Sequence, residues 1–159
     1  MEVEIQYVYR GEAAPLVPIR LADLELARSA HFSLLDTYYD TEALGLRRNG
    51  CSLRIRQSDG EVLPRLTLKG PSRKRSGAKS RYEVEVEVGR LPGEIEDMRE
   101  LLRALDLLEE LKRFVGPETL EELHPIGALR NRRSSHRYEH GLHRLDLTWD
   151  ELEFPTLGG

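Results

Sequence analysis

Residues 81–88 read Arg-Tyr-Glu-Val-Glu-Val-Glu-Val, a strict alternation of charged and apolar positions. A period of two is that of a β-strand, in which residues two apart share one face of a sheet. One face then carries Arg81, Glu83, Glu85 and Glu87, and the other Tyr82, Val84, Val86 and Val88. Met1 to Tyr7 repeats the device, with Glu2, Glu4 and Gln6 against Val3, Ile5 and Tyr7. Ser52 to Gln57 sets Arg54 and Arg56 against Leu53 and Ile55, and Val62 to Lys69 sets Arg65, Thr67 and Lys69 against Leu66 and Leu68. Ser58-Asp59-Gly60 between these two runs is a hairpin signal. His31 to Tyr39, Ile126 to Tyr138 and Leu142 to Leu152 are further strands. The last two are joined near His140-Gly141, and the final one alternates Leu145, Leu147 and Trp149 with Asp146, Thr148 and Asp150.

Helical spacing is confined to fewer stretches. Leu21, Leu24 and Leu26 predict a short helix over Leu21 to Ala30, and Thr41 to Leu46 a single turn. From Gly93 to Phe114 the apolar residues Ile95, Met98, Leu101, Leu102, Leu105, Leu108 and Leu111 predict one long amphipathic helix with its leucines in the core. Pro117 to Leu123 is a second short helix, with proline suited to its first turn. Gly11 to Pro18 is turn-rich, and Gly70 to Ser80 is a basic loop bearing Arg73, Lys74, Arg75 and Lys79.

At 159 residues, with 39% hydrophobic and 33% charged positions, the chain is expected to be one globular domain over residues 1–159. Its net charge of −4 argues against a general nucleic-acid binder, so any anion site must come from local placement of its 24 Lys and Arg. A single cysteine, Cys51, excludes an internal disulfide and a multi-cysteine zinc site. The five histidines follow no metal-ligand spacing, and no glycine-rich phosphate loop is present. There is no apolar run of membrane-spanning length and no signal peptide, so a cytoplasmic location is the expectation.

The charges are segregated by strand. Acids collect at Glu2, Glu4, Glu83, Glu85, Glu87, Asp146 and Asp150, and bases at Arg54, Arg56, Arg65, Lys69, Arg81, Arg130 and Arg132. A solvated surface or a purely structural ion-pair lattice would accommodate such rows. Segregation is better explained by a closed antiparallel barrel lined with charge and covered outside by the helices. Guanidinium forks and lysine hold phosphate oxygens. Carboxylates would repel phosphate but can ligate Mg²⁺ or Mn²⁺ bridging to it.

Several runs are familiar in this order. Glu2-Val-Glu-Ile-Gln6 resembles the N-terminal Glu-x-Glu-x-Lys signature of the CYTH family, the triphosphate tunnel metalloenzymes. Tyr39-Asp40-Thr41, Leu46-Arg-Arg-Asn-Gly50, Leu53-Arg-Ile-Arg56, Thr67-Leu-Lys-Gly70, Arg81 to Glu87, Arg130-Asn-Arg132 and Leu147-Thr-Trp-Asp-Glu151 resemble its successive strand motifs.

The resemblance implies an α+β fold built on a closed antiparallel β-barrel of about eight strands with helices outside. It implies metal-dependent hydrolysis of an inorganic or small organic triphosphate, with Mg²⁺ or Mn²⁺ as cofactor. A catalytically weak polyphosphate- or nucleotide-binding module and a class IV type adenylate cyclase are the alternatives. Arg54, Arg56, Arg65, Lys69, Arg81, Arg130 and Arg132 are the expected phosphate ligands. Glu2, Glu4, Glu83, Glu85, Glu87, Asp146 and Asp150 are the expected metal ligands, Asp150 favoured over Asp146. Glu4, Gln6, Glu85 and Lys69 are the expected catalytic group. Two departures stand out. The signature lysine is Gln6 here, and the sequence closes at Thr156-Leu-Gly-Gly159 where the family continues into a last Glu-x-Glu strand. A barrel wanting that strand has an open edge, which invites a homodimer.

Overall fold

The structure, a computed structural model, describes residues 17–75 and 78–155. The predicted strand Met1 to Tyr7, with Glu2, Glu4 and Gln6, lies outside the described residues, as do most of the Gly11 to Pro18 turn and the closing Thr156 to Gly159. Seven strands are described, in chain order β1 (Arg20–Leu21), β2 (Leu24–Asp40), β3 (Ser52–Ser58), β4 (Arg65–Arg75), β5 (Ala78–Glu87), β6 (His124–His140) and β7 (His143–Glu153). They form one sheet in the order β5-β4-β3-β2-β6-β7, with β1 paired to β2. Pairings β1–β2, β2–β3, β3–β4 and β4–β5 are antiparallel. The closed barrel of the sequence reading is therefore represented by a mostly antiparallel sheet.

The chain divides into two compact units, residues 17–30 with 135–147 and residues 31–134 with 148–155 among those described. In the smaller unit β1 folds back on the start of β2, Arg20 opposite Glu25. Tyr138 donates its hydroxyl proton to the Pro18 carbonyl at 2.9 Å. Gly141, at φ +58°, supplies the left-handed position of the two-residue connection between β6 and β7.

The larger unit is organised by the phase of its strands. On β3 and β4, Leu53, Ile55, Leu66 and Leu68 are wholly buried, and Tyr39 of β2 joins them. Helices α1 (Gly45–Arg48), α2 (Met98–Ala104) and α3 (Leu108–Lys112) add Leu46, Met98, Leu102, Leu108 and Leu111 to the same core. Truncating any of these leucines to alanine costs about 2–5 kcal/mol. The opposite face of the strands is therefore the one free to carry charge.

Asp40 anchors the entry to α1. Its carboxylate accepts the backbone N–H groups of Thr41 and Leu46, both at 2.7 Å, and of Arg47 at 3.0 Å. Those donors have no partner inside so short a helix, and the carboxylate satisfies them at the positive end of the peptide dipoles.

Three elements differ from expectation. Leu21 to Ala30 is not helical: apart from a turn at residues 22–23 it belongs to β1 and the start of β2. Leu24-Glu25-Leu26 satisfies a two-residue period as well as a helical one, and pairing with β1 decides between them. The basic Gly70 to Ser80 segment is not a loop but the arms of a hairpin. Pairing resumes at Ser72–Arg81 after a register shift at Gly70-Pro71 and continues to Arg75–Ala78. A proline fits such a bulge because it has no N–H to give the ladder. Gly70 lets the strand pass close to Phe114, since a Cβ there would meet its ring at 3.0 Å and press it aside.

The long helix of Gly93 to Phe114 is broken into α2 and α3. Asp97 starts α2 late by accepting the N–H groups of Arg99 and Glu100 at 2.8 and 3.1 Å. Asp106 stops it, at φ +58°, with Asp106 N–H bonded to Arg103 O and Leu107 N–H to Leu102 O. This is the Schellman arrangement, with buried Leu102 and Leu107 as its apolar contact. The leucine period survives the break because α3 faces the same core.

Candidate functional site

The polar face of β2 to β5 is laid out by register. Asp36, Arg56, Arg65 and Glu87 form one cross-sheet row, and Tyr38, Arg54, Thr67 and Glu85 the next. Ser52, Lys69 and Glu83 form a third. Acid, base, base, acid is the order from β2 to β5 in the first row. Two basic strands are thus flanked by two acidic ones, the arrangement that places opposite charges side by side.

Asp36 is the residue on which the face converges. Its side chain is only 2% exposed. It accepts Arg56 Nε at 2.7 Å and Arg56 Nη2 at 2.8 Å, a bidentate fork, and Arg54 Nη1 at 3.2 Å. The hydrogen bond to Asp36 raises the Arg56 pKa further, keeping that guanidinium charged despite its partial burial. Arg54 Nη2 reaches the Thr67 hydroxyl at 3.3 Å, and Thr67 Oγ1 in turn donates to Glu85 Oε1 at 3.0 Å. The Nε of Arg54 is buried without a hydrogen-bond partner among the described residues.

Toward β5, Glu85 and Glu87 meet cations at longer range and Glu83 at close range. Glu85 lies 3.7 Å from Arg54 and 3.6 Å from Arg65, Glu87 lies 3.9 Å from Arg65, and Glu83 meets Lys69 Nζ at 2.8 Å. Exposure rises along the same direction, from buried Asp36 to a Glu87 side chain 65% exposed.

The β6–β7 hairpin adds to this side of the larger unit. Arg133 holds Asp150 through Nε–Oδ1 at 2.7 Å and Nη2–Oδ2 at 2.8 Å. The Arg133 hydrogen bond keeps the Asp150 carboxyl below the usual range against the opposing effect of burial, with Asn131 and the charge of Arg56 contributing. Asn131 is buried, and its Oδ1 has no partner among the described residues.

Several predicted residues are brought together: Arg54, Arg56, Arg65, Lys69, Glu83, Glu85 and Glu87 on β3 to β5, with Asp150 within the field of Arg56. Arg130 and Arg132 are placed elsewhere. They pair with Glu153 at 3.7 Å and with Glu151 and Glu153 at 3.7 and 3.0 Å, on the face opposite Arg133 and Asp150. Asp146 belongs to the smaller unit, where hydrogen bonds from Arg144 and Arg137 lower its pKa. Arg81 is engaged with backbone, donating to Gly70 O at 2.8 Å and Gly50 O at 3.3 Å. Cys51 is buried and its thiol pKa is raised by that burial, which leaves it a core residue.

Sequence reasoning passed over Asp36, Thr67, Asn131 and Arg133 as site residues. Asp36 carried a signal, an acid inside the strand-like run Leu34-Leu35-Asp36-Thr37-Tyr38. An acid in such a run is either at an edge or buried with a cation.

Among the described residues no three His, Cys, Asp or Glu side chains converge to hold a metal ion. The described carboxylates of the face each have a cation of the protein as partner. This half of the site fits a cradle for a polyanion and does not by itself make a metal centre. No described helix is long and apolar enough to cross a membrane.

A protein from Hippeastrum, described as an adenylyl cyclase candidate with dominant triphosphatase activity, has a similar fold at TM-score 0.51 and 18% identity, over 81% of this chain and 68% of that one. A protein of Pyrococcus horikoshii OT3 aligns at TM-score 0.44 and 23% identity, over 82% of this chain and 60% of that one. A candidate adenylate cyclase of Bacillus halodurans aligns at TM-score 0.44 and 18% identity, over 78% and 65%. No curated protein sequence matches the chain. The profile of the CYTH domain matches residues 1–156, nearly the entire sequence, and the chain belongs to the CYTH domain family.

Proposed function

We propose that this protein hydrolyses an inorganic or small organic triphosphate on the charged face of a β-tunnel. The observation that carries this reading is the pair Arg54 and Arg56, held side by side by one buried carboxylate with Lys69 on the next strand. Three cations on neighbouring strands match the spread of charge along a polyphosphate. Guanidinium groups pre-aimed at its oxygens stabilise the charge that shifts as the terminal phosphoryl group is transferred.

In this reading Arg54, Arg56 and Lys69 bind and orient the phosphates. Glu85, oriented by the Thr67 hydroxyl, accepts a hydrogen bond from the attacking water and aligns it with the terminal phosphorus. The new P–O bond forms to that water as the bond to the bridging oxygen breaks, the water's proton passing by way of the Glu85 carboxylate to solvent, and phosphate and diphosphate leave from an inorganic substrate. A divalent cation such as Mg²⁺ or Mn²⁺, when bound, supplies further neutralisation of phosphate charge. Among the described residues, acids of β5 and Asp150 would hold it; Glu2 and Glu4 remain the ligands that the resemblance implies.

A second reading is binding without turnover. The full pairing of the described acids with the protein's own cations favours it, together with Gln6 in place of lysine. One assay separates the two: incubation with tripolyphosphate and Mg²⁺ or Mn²⁺, with orthophosphate measured. Release supports hydrolysis, and thermal stabilisation without release supports the binding module. Cyclic AMP formed from ATP would reassign the site to cyclisation, and absence of binding and turnover alike would end the triphosphate reading.

A further inference from the structure

We propose that Asp36 is a positioning residue for phosphate recognition, fixing Arg54 and Arg56 in a binding-ready geometry before any ligand arrives. The inference rests on the triphosphate reading and adds to it a residue outside the expected ligand set. A carboxylate carried into the sheet at 2% exposure loses its hydration, and an apolar pair would pack as well at lower desolvation cost. The geometry shows what the charge accomplishes. Asp36 takes the Nε–Nη2 edge of Arg56 and one Nη1 hydrogen of Arg54, so one carboxylate sets the Arg56 plane and, together with the Thr67 hydroxyl, holds Arg54 beside it.

Each guanidinium has five N–H donors. Arg56 uses two of them on Asp36, and its other three make no hydrogen bond to another side chain among the described residues. Arg54 keeps its buried Nε–H without a hydrogen-bond partner among the described residues. Long side chains otherwise surrender rotamer freedom on binding, and ordering them beforehand removes that loss. Asp36 touches no phosphate in this scheme; it acts through the arginines.

The test pairs a variant with a measurement on the unaltered protein. Asp36→Asn keeps size and one acceptor oxygen but turns an N–H₂ group toward the guanidinium pair. With folding verified by circular dichroism, tripolyphosphate affinity by calorimetry is expected to fall about tenfold or more, with KM rising more than kcat falls, the signature of lost ground-state binding. Wild-type affinity and KM in a folded Asp36→Asn protein would overturn the proposal. If that variant does not fold, ¹⁵N relaxation of the Arg56 Nε–H in the ligand-free wild-type protein decides. An order parameter near about 0.85 supports a pre-set fork and one below about 0.6 overturns it. Wild-type protein that binds no tripolyphosphate would sink the substrate reading, and the relaxation result alone would then judge Asp36.

Discussion

Arg133 and Asp150 meet across β6 and β7 in a bidentate pair, both contacts under 3 Å. The pair lies in a register that puts Arg133 on the face of Asp150 and leaves Arg130 and Arg132 with Glu151 and Glu153 on the other.

Its first consequence is a pH dependence. The folded-state pKa of Asp150 is depressed, chiefly by the Arg133 hydrogen bond. A depressed acid contributes stability in full above its unfolded value of about 3.9 and loses it as pH falls through the folded value. The stability difference between wild type and Asp150→Asn should be constant from about pH 7 to 5 and shrink below about pH 4. Because the pair is a third exposed, its size should stay under about 1 kcal/mol. Urea unfolding across this range checks it, and a gap that widens on acidification contradicts it.

Arg56→Ala should weaken tripolyphosphate binding. Charge-assisted hydrogen bonds are worth about 1.5–3 kcal/mol, so a loss of about tenfold or more is expected by calorimetry. The same change leaves Asp36 with Arg54 alone, which should lower stability by about 3 kcal/mol. Arg56→Lys should recover little of either, since a lysine cannot offer the fork.

Glu85→Gln separates turnover from folding. The Thr67 hydroxyl still has an oxygen to donate to, and the ion pairs lost with the charge are half-exposed. Stability should change by less than about 1 kcal/mol. Phosphate release at saturating substrate should fall about 100-fold. A Glu85→Gln protein with undiminished turnover would remove Glu85 from the reaction.

Asp40→Ala tests the cap on α1. Three backbone N–H groups lose their acceptor at once, and unfolding free energy should drop by about 2 kcal/mol or more. Asp40→Asn should fall between, because Oδ1 alone serves Thr41 and Leu46.

Gln6→Lys restores a cation to the N-terminal signature. Initial rates of phosphate release should be equal to or above wild type, and a clear loss would mean that position 6 has been re-specialised.

Alternation made β3 and β5 legible, because each turns one face toward the core and leaves the other polar, and it also found much of β6 and β7, whose residues are mostly exposed or half-buried. The same rule found Arg54, Arg56, Lys69 and Glu85 as one polar set. It could not locate the break at Asp106, since Leu101, Leu105 and Leu108 keep helical spacing on either side of it. Nor could it see the hairpin in Gly70 to Ser80, where pairing of the two arms, not local periodicity, holds the backbone extended.

What the sequence determined by itself is the phase within each strand: which residues alternate, and therefore which chemistry each strand can present to one side. Which strand lies beside which, and in what register, was decided only by tertiary pairing. Arg-Asn-Arg-Arg at 130–133 offers either Arg130 and Arg132 or Asn131 and Arg133 to the site, and the local pattern is equally content with both. Asp150 across the ladder selects Arg133, and Arg56 across another selects Asp36. Those choices depend on contacts between residues far apart in the chain, which local periodicity does not encode.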